Sequence, residues 1–236
     1  MKDKNIVFFH DNYVTNLNGN FYSNGSLNKK VVERYINFSK NFTLSTREDK
    51  KRKIDNLSFL ASDSEVSFYG LPNFREFNFN TYKAFRKKII KIINNNDVVI
   101  IRLPSIVGFF ASYFAFKNNK NTIVELVGCP LDTFKLHSKT GFFLSYFFYF
   151  LTKYYVLKAK NVLYVTSNFL QKRYPTNAKN SIGCSDVEIK IEKNILQNRI
   201  EKTKKFKDNN IIVVGMIGFL EAKYKGFDIA LKAINK

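Results

Sequence analysis

The chain has 236 residues, 45% of them hydrophobic and 16% aromatic, with ten glycines and four prolines. That length and composition allow one full α/β core and part of another, and exclude disordered, collagen-like, low-complexity and heptad-repeat classes. The formal charge of +20 points by itself to a polyanionic partner. The lysines are nevertheless dispersed, with local clusters at Lys50 to Lys53, Arg86 to Lys91 and Lys202 to Lys207. Abundant Ile, Asn, Lys, Phe and Tyr beside an absence of Trp suggest an AT-rich coding bias, so nucleic acid is not the favoured partner. Cys129 and Cys184 fit no CxxC or Cys/His ligand spacing, which suggests a reduced, cytoplasmic setting. The apolar run Ile6 to Phe9 is too short for a secretory signal and reads as a first strand.

In chain order, Asn5 to Phe9 predicts a buried strand, and the polar stretch His10 to Asn28 a long loop at its carboxyl end. Leu27 to Phe38 has helical spacing, Phe42 to Ser45 reads as a strand, Glu48 to Asn56 as a charged loop, and Val66 to Tyr69 as a third strand. Tyr82 to Ile93 predicts a basic amphipathic helix, and Val98 to Leu103 a strand buried on both faces. A helix from Ile106 to Phe116 and a strand from Thr122 to Val127 follow. Phe142 to Leu157 contains nine aromatics and one charge, Lys153; at sixteen residues it is short for a bilayer span. It reads either as a packed helix or as a membrane-surface element, with Phe147 and Phe148 as the contact face. Val162 to Thr166 predicts a strand, and Ser167 to Tyr174 a short helix capped by Ser167 or Asn168. Ser181 to Glu188 reads as a loop, Lys190 to Asn210 as an interdomain connection, and Ile211 as the start of a new strand. This alternation predicts an α/β fold with a doubly wound, Rossmann-like parallel sheet, with ligands at the carboxyl ends of its strands.

Two residue types stand out on physical grounds. Arg102 and Ser105 lie at the end of a buried strand, where an arginine is costly unless paired with a ligand or a carboxylate. Glu125, embedded in an apolar strand, either pairs with Arg102 or polarises an acceptor hydroxyl. Asp132 and His137 follow the Gly128 to Pro130 turn, and Thr166 closes a strand on the same side. No metal-ligand spacing is visible.

The segment IIVVGMIGFLEAKYKGFDIALKAI, Ile211 to Ile234, resembles the opening of the second domain of family 4 glycosyltransferases with the GT-B fold. DVVIIRLPSIVGFFASYFAFKNN, TIVELVGCPLD and NVLYVTSNFLQKRYP are similar to the acceptor domain of such enzymes from bacterial surface and capsular polysaccharide pathways. The resemblance implies an acceptor-side domain over 1–190, a linker over 191–210, and over 211–236 the first strand and helix of an incomplete donor domain. It implies that Gly215 and Gly218 form a turn, and that Lys225 and Gly226 meet the diphosphate of a nucleotide sugar, which is a substrate and not a cofactor. Backbone N–H groups in such a turn and a nearby lysine suit a diphosphate physically. Phe219 stands where the family often has a second, arginine contact. His10, Asp11, Gly19 and Asn20 fall in the loop that in the family faces the interdomain cleft.

The resulting expectation is a retaining, hexosyltransferase-type glycosyltransferase acting on a polysaccharide or lipid-linked glycan acceptor, inactive or impaired as this fragment, cytoplasmic and peripheral on the inner face of an anionic membrane. The alternative is a non-catalytic polyanion- or membrane-binding protein.

Overall fold

The computed structural model describes residues 2–24, 27–49, 57–73, 78–135, 139–185, 194–208, 212–218 and 225–234. Seven parallel strands form the body of the sheet: β1 (Asn5–Leu17), β3 (Asn41–Glu48), β5 (Ser67–Leu71), β6 (Val98–Leu103), β7 (Asn121–Leu126), β8 (Asn161–Tyr164) and β9 (Asn180–Gly183). Their spatial order is β5-β3-β1-β6-β7-β8-β9. The chain therefore steps outward from β1 in one direction, returns, and steps outward in the other. This is a doubly wound, Rossmann-like α/β sheet whose direction reverses between β1 and β6, the place where such sheets open a crevice.

Strand alternation divides the core. Ile6, Phe8, Val98 and Ile100 point to one face and pack with Val32 and Tyr35 of α1 (Lys29–Ile36). Val7, Phe9, Val99 and Ile101 point to the other, beneath α2 (Phe79–Asn94), α3 (Ile106–Lys117) and α5 (Lys139–Lys158). Three helices start on side-chain caps: Asn28 accepts from Val31 N–H (3.2 Å), Asn78 from Thr81 N–H (2.9 Å), and Ser105 from Gly108 N–H (2.9 Å).

The expected loop from His10 to Asn28 is mostly sheet. β1 continues to Leu17, turns at Asn18 (φ 49°) and Gly19 (φ 80°), and returns as β2 (Asn20–Ser23), which pairs in turn with β4 (Ser58–Ser62). Two successive positive φ angles at Asn-Gly make the type I′ turn that tight hairpins favour. Val14 and Phe21 are buried behind it. Strand β4 lies where no element was predicted, and the charged loop expected at Glu48 to Asn56 begins with the last residue of β3 and falls mostly outside the described residues.

Three further expectations change. Residues 181–183 of the expected loop belong to β9, which starts at Asn180 and is an edge strand on β8. The expected connection contains a helix, α7 (Ile195–Asp208). Residues 212–217 join no strand, with Ile212 and Ile217 at least 90% exposed, and the following α8 (Phe227–Ile234) buries no residue. A parallel strand exists only by hydrogen bonding to a neighbour, and this segment has no neighbour to pair with among the described residues.

Candidate active-site cleft

At the sheet reversal, β1 bulges. Phe9 pairs with Ser45 and Tyr13 with Arg47, so four steps along β1 match two along β3. Below the bulge β1 borders β6, and above it β1 borders β2. His10, Asp11 and Asn12 thus arch over the carboxyl end of β6.

Three neighbouring strands each carry a polar residue on the α1 side of the sheet near the reversal: His10 at the bulge of β1, and Arg102 and Glu125 next to the last residues of β6 and β7. Arg102 and Glu125 are register partners, and their side chains, 14% and 8% exposed, form an ion pair at 3.6 Å. Tyr35 Oη, from α1, donates to the other oxygen of Glu125. Burial, and then the Glu125 charge, push the Tyr35 hydroxyl well above the usual tyrosine range, so it stays a donor.

His10 is buried against Phe8, with ring centroids 5.6 Å apart. Its Nδ1 accepts from Asn12 N–H at 3.1 Å, which assigns the ring proton to Nε2. Burial, reinforced by the Arg102 charge, lowers its pKa to about 3, so the ring is neutral at pH 7. Nε2–H is buried, and among the described residues it has no hydrogen-bond partner. Such a donor costs about 1–3 kcal/mol when left unmet, and it is ready to bind an acceptor atom.

Asp11 is turned to structural use. One carboxylate oxygen meets Arg47 Nε at 2.7 Å, and the other accepts from Ile106 N–H at 2.9 Å, at the positive end of α3. Burial pushes this carboxyl up, while Arg47 and the α3 N–H groups pull it back. Arg47 also donates to Asp11 O (2.8 Å) and Tyr13 Oη (2.7 Å) and lies over the Tyr13 ring. The arginine charges are matched by Glu125 and Asp11, and His10 is neutral. A buried, hydrogen-bonding site of balanced charge suits an uncharged polyhydroxylated ligand better than a phosphate.

The other expected residues are placed differently. Ser105 caps α3 and donates to Arg102 O (2.8 Å), so its hydroxyl is occupied within the fold. Thr166 accepts from Leu170 N–H (3.0 Å) and donates to Gln171 (2.9 Å); it caps α6 (Phe169–Arg173) in place of Ser167 or Asn168, neither of which makes a side-chain cap. Asp132 pairs with Arg173 at 2.7 Å, and Arg173 also contacts Cys129, tying α4 (Pro130–Phe134) to α6. Gly19 and Asn20 form the hairpin tip, where Asp63 N–H donates to Gly19 O, and they are not part of the row. On the donor side, the Lys225 stem packs over Gly218, Gly226 has φ 70°, Gly215 stands open, and the segment is exposed. Phe219 and His137 lie outside the described residues.

Tyr35 and Arg47 are the residues that sequence reading missed. Arg47 lies near the carboxyl end of a buried strand, as Arg102 does, but β3 (NFTLSTRE) is mostly polar in sequence, so the apolar run that marked Arg102 is missing there. Among the described residues no three His, Cys, Asp or Glu side chains gather as a metal cage. Two cavities of about 450 and 480 Å³ lie away from this row, on the α3 and α5 face.

No protein-family model matches the chain. It is 30% identical over 237 residues to Protein CapJ of Staphylococcus aureus, an alignment covering 98% of this chain. The chain spans 57% of the length of that curated relative. Among solved structures, one described as a UDP-N-acetylglucosamine 2-epimerase from Listeria monocytogenes aligns with TM-score 0.45 and 12% identity, covering 74% of this chain and 42% of the other. Sucrose-phosphate synthase from Thermosynechococcus elongatus aligns with TM-score 0.44 and 9% identity, covering 77% and 48%.

Proposed function

We propose that this chain is the acceptor-side part of a retaining GT-B glycosyltransferase that moves a sugar from a nucleotide diphosphate donor to a hydroxyl of a polysaccharide or lipid-linked glycan. The observation that carries this reading is the row His10, Arg102 and Glu125 at the sheet reversal, buried, polar and balanced in charge. The similarity to Protein CapJ runs over 98% of the chain, so it takes in both the acceptor-side sheet and the Gly218 to Gly226 segment.

In this reading His10 Nε2–H and the Arg102 guanidinium hold oxygens of the acceptor sugar, and Glu125 with Tyr35 fixes the guanidinium. Lys225 and the N–H groups of the Gly215 to Gly218 turn stabilise the diphosphate as the anomeric C–O bond breaks. The acceptor hydroxyl forms the new C–O bond on the same face as the departing diphosphate, and its proton passes to the diphosphate oxygen released when the anomeric C–O bond breaks. Neutral His10, with Nδ1 already accepting a hydrogen bond, orients and is not assigned as a base.

Titration calorimetry with UDP and GDP sugars, using the full chain and Lys225→Ala, tests the donor half. Binding that weakens about tenfold in the variant is expected for loss of one charge-assisted contact. Undiminished binding in Lys225→Ala, or none by the folded chain, contradicts the donor assignment.

A further inference from the structure

Helices α2, α3 and α5 form one layer over the sheet, joined by Phe85 against Phe110 (5.2 Å) and Phe109 stacked on Phe148 (5.5 Å). Helix α5 is apolar on all sides. Its inner side is used: Val156, Ser145 and Thr152 are buried, and the two hydroxyls bond back to carbonyls of their own helix. Its outer side keeps Phe143, Phe147, Phe150 and Tyr154 exposed, at 76%, 59%, 63% and 49%. These positions follow helical spacing and form one ridge. Phe148 is turned inward onto Phe109, so the expected Phe147 and Phe148 pair is not a single face.

Charge follows the same layer. Helix α2 carries five basic residues, α3 one and α5 three, and none of the three carries an aspartate or glutamate. The cavity of about 480 Å³ is an apolar groove between α3 and α5. It shares Tyr113 and Tyr155 with the cavity of about 450 Å³, which is walled by Lys117, Lys120, Lys158 and Lys160. Lys120 donates to the carbonyls of Asn94 and Asn96, Lys158 to Tyr154 Oη, and Lys160 to Asn119 Oδ1. These partners are neutral, and among the described residues no carboxylate pairs with these four lysines. Lys117 and Lys158 sit in last helical turns and complement helix dipoles. That role accounts neither for Lys120 and Lys160 nor for the missing carboxylates.

An exposed aromatic ridge beside an uncompensated cationic cleft is complementary to a surface that is apolar beneath and anionic on top. We propose that the outer face of α3 and α5 docks on an anionic phospholipid bilayer. The ridge enters the boundary between headgroups and acyl chains, and the lysine cleft takes headgroup phosphates. The face lies on the bilayer and does not cross it, since no helix among the described residues is long and apolar enough to span one. This inference does not rest on the glycosyl-transfer reading.

The test is co-sedimentation of the full chain with phosphatidylcholine vesicles and with vesicles containing phosphatidylglycerol, at low and high salt. Expected are binding to the anionic vesicles only, weakening with salt, and a loss of about tenfold or more in Phe147→Ser/Phe150→Ser. The chain has no tryptophan, so Phe147→Trp adds a unique reporter whose emission shifts to the blue on anionic vesicles. No vesicle binding by the folded chain overturns the proposal, as does binding that salt abolishes but the double substitution leaves intact and that gives no tryptophan shift. Self-association through the ridge, or capture of a single-stranded oligonucleotide, overturns it where vesicles do not bind.

Discussion

Arg102 and Glu125 face each other across β6 and β7 as register partners, their charges 3.6 Å apart and almost out of reach of water. Removing one member of such a pair leaves the other charge buried. Glu125→Gln is expected to destabilise the fold by about 3 kcal/mol. Arg102→Met combined with Glu125→Leu recovers much of that loss. Urea unfolding of the three proteins measures the coupling. A double variant no more stable than Glu125→Gln contradicts the pairing.

His10 gives the protein an acid-sensitive term. Its folded pKa, about 3, lies below the ordinary histidine value of 6.5. The unfolded chain therefore takes up the proton first as pH falls. The stability that neutral His10 provides is complete above about pH 6.5 and is lost at about 1.4 kcal/mol per pH unit below it. Asp11 has a raised pKa and acts in the opposite sense above pH 3.8, so the His10 slope is read as the difference between the protein and His10→Asn from pH 6.5 downward. His10→Asn removes this slope, which denaturant midpoints across that range measure. An unchanged slope contradicts the burial of a neutral ring.

Gly19 is structural. At φ 80° an alanine is strained, and its Cβ would also meet the Asp63 carboxylate. Gly19→Ala is expected to cost about 1–2 kcal/mol, and Asn20→Ala at the exposed tip little. Neither change alters sugar binding. Thermal unfolding and sugar titration of both variants check this.

Ser105 serves α3. Ser105→Ala is expected to lower stability by about 1 kcal/mol, and Ser105→Asp to retain most of the cap. Denaturation midpoints of the two variants decide it. Equal losses contradict the capping role.

The α/β alternation was readable in the sequence because β6 is a continuous apolar run, buried on both faces. Arg102 and Glu125 were readable for the opposite reason, as charges inside such runs. The hairpin was missed because its polar residues suggested a loop, although Asn18-Gly19 between the inward-facing Val14 and Phe21 is a turn signal. Tyr35 was hidden, because an aromatic at helical spacing reads as core, and its hydroxyl bond to Glu125 depends on the packing of α1 across β7. The ridge on α5 was obscured because a helix apolar on every side has no direction in sequence, and neighbouring α3 decides which aromatics turn outward.

The most direct measurement uses the imidazole signals of the protein, of which there are only two sets, from His10 and His137. Neutral oligosaccharides are titrated into ¹⁵N-labelled protein while the ring nitrogens are observed. The account predicts that a sugar shifts the Nε2 signal that disappears in His10→Asn, and that Arg102→Gln weakens this binding. A His10 signal that stays fixed with every sugar, in a folded protein, contradicts the assignment of this row as the acceptor site.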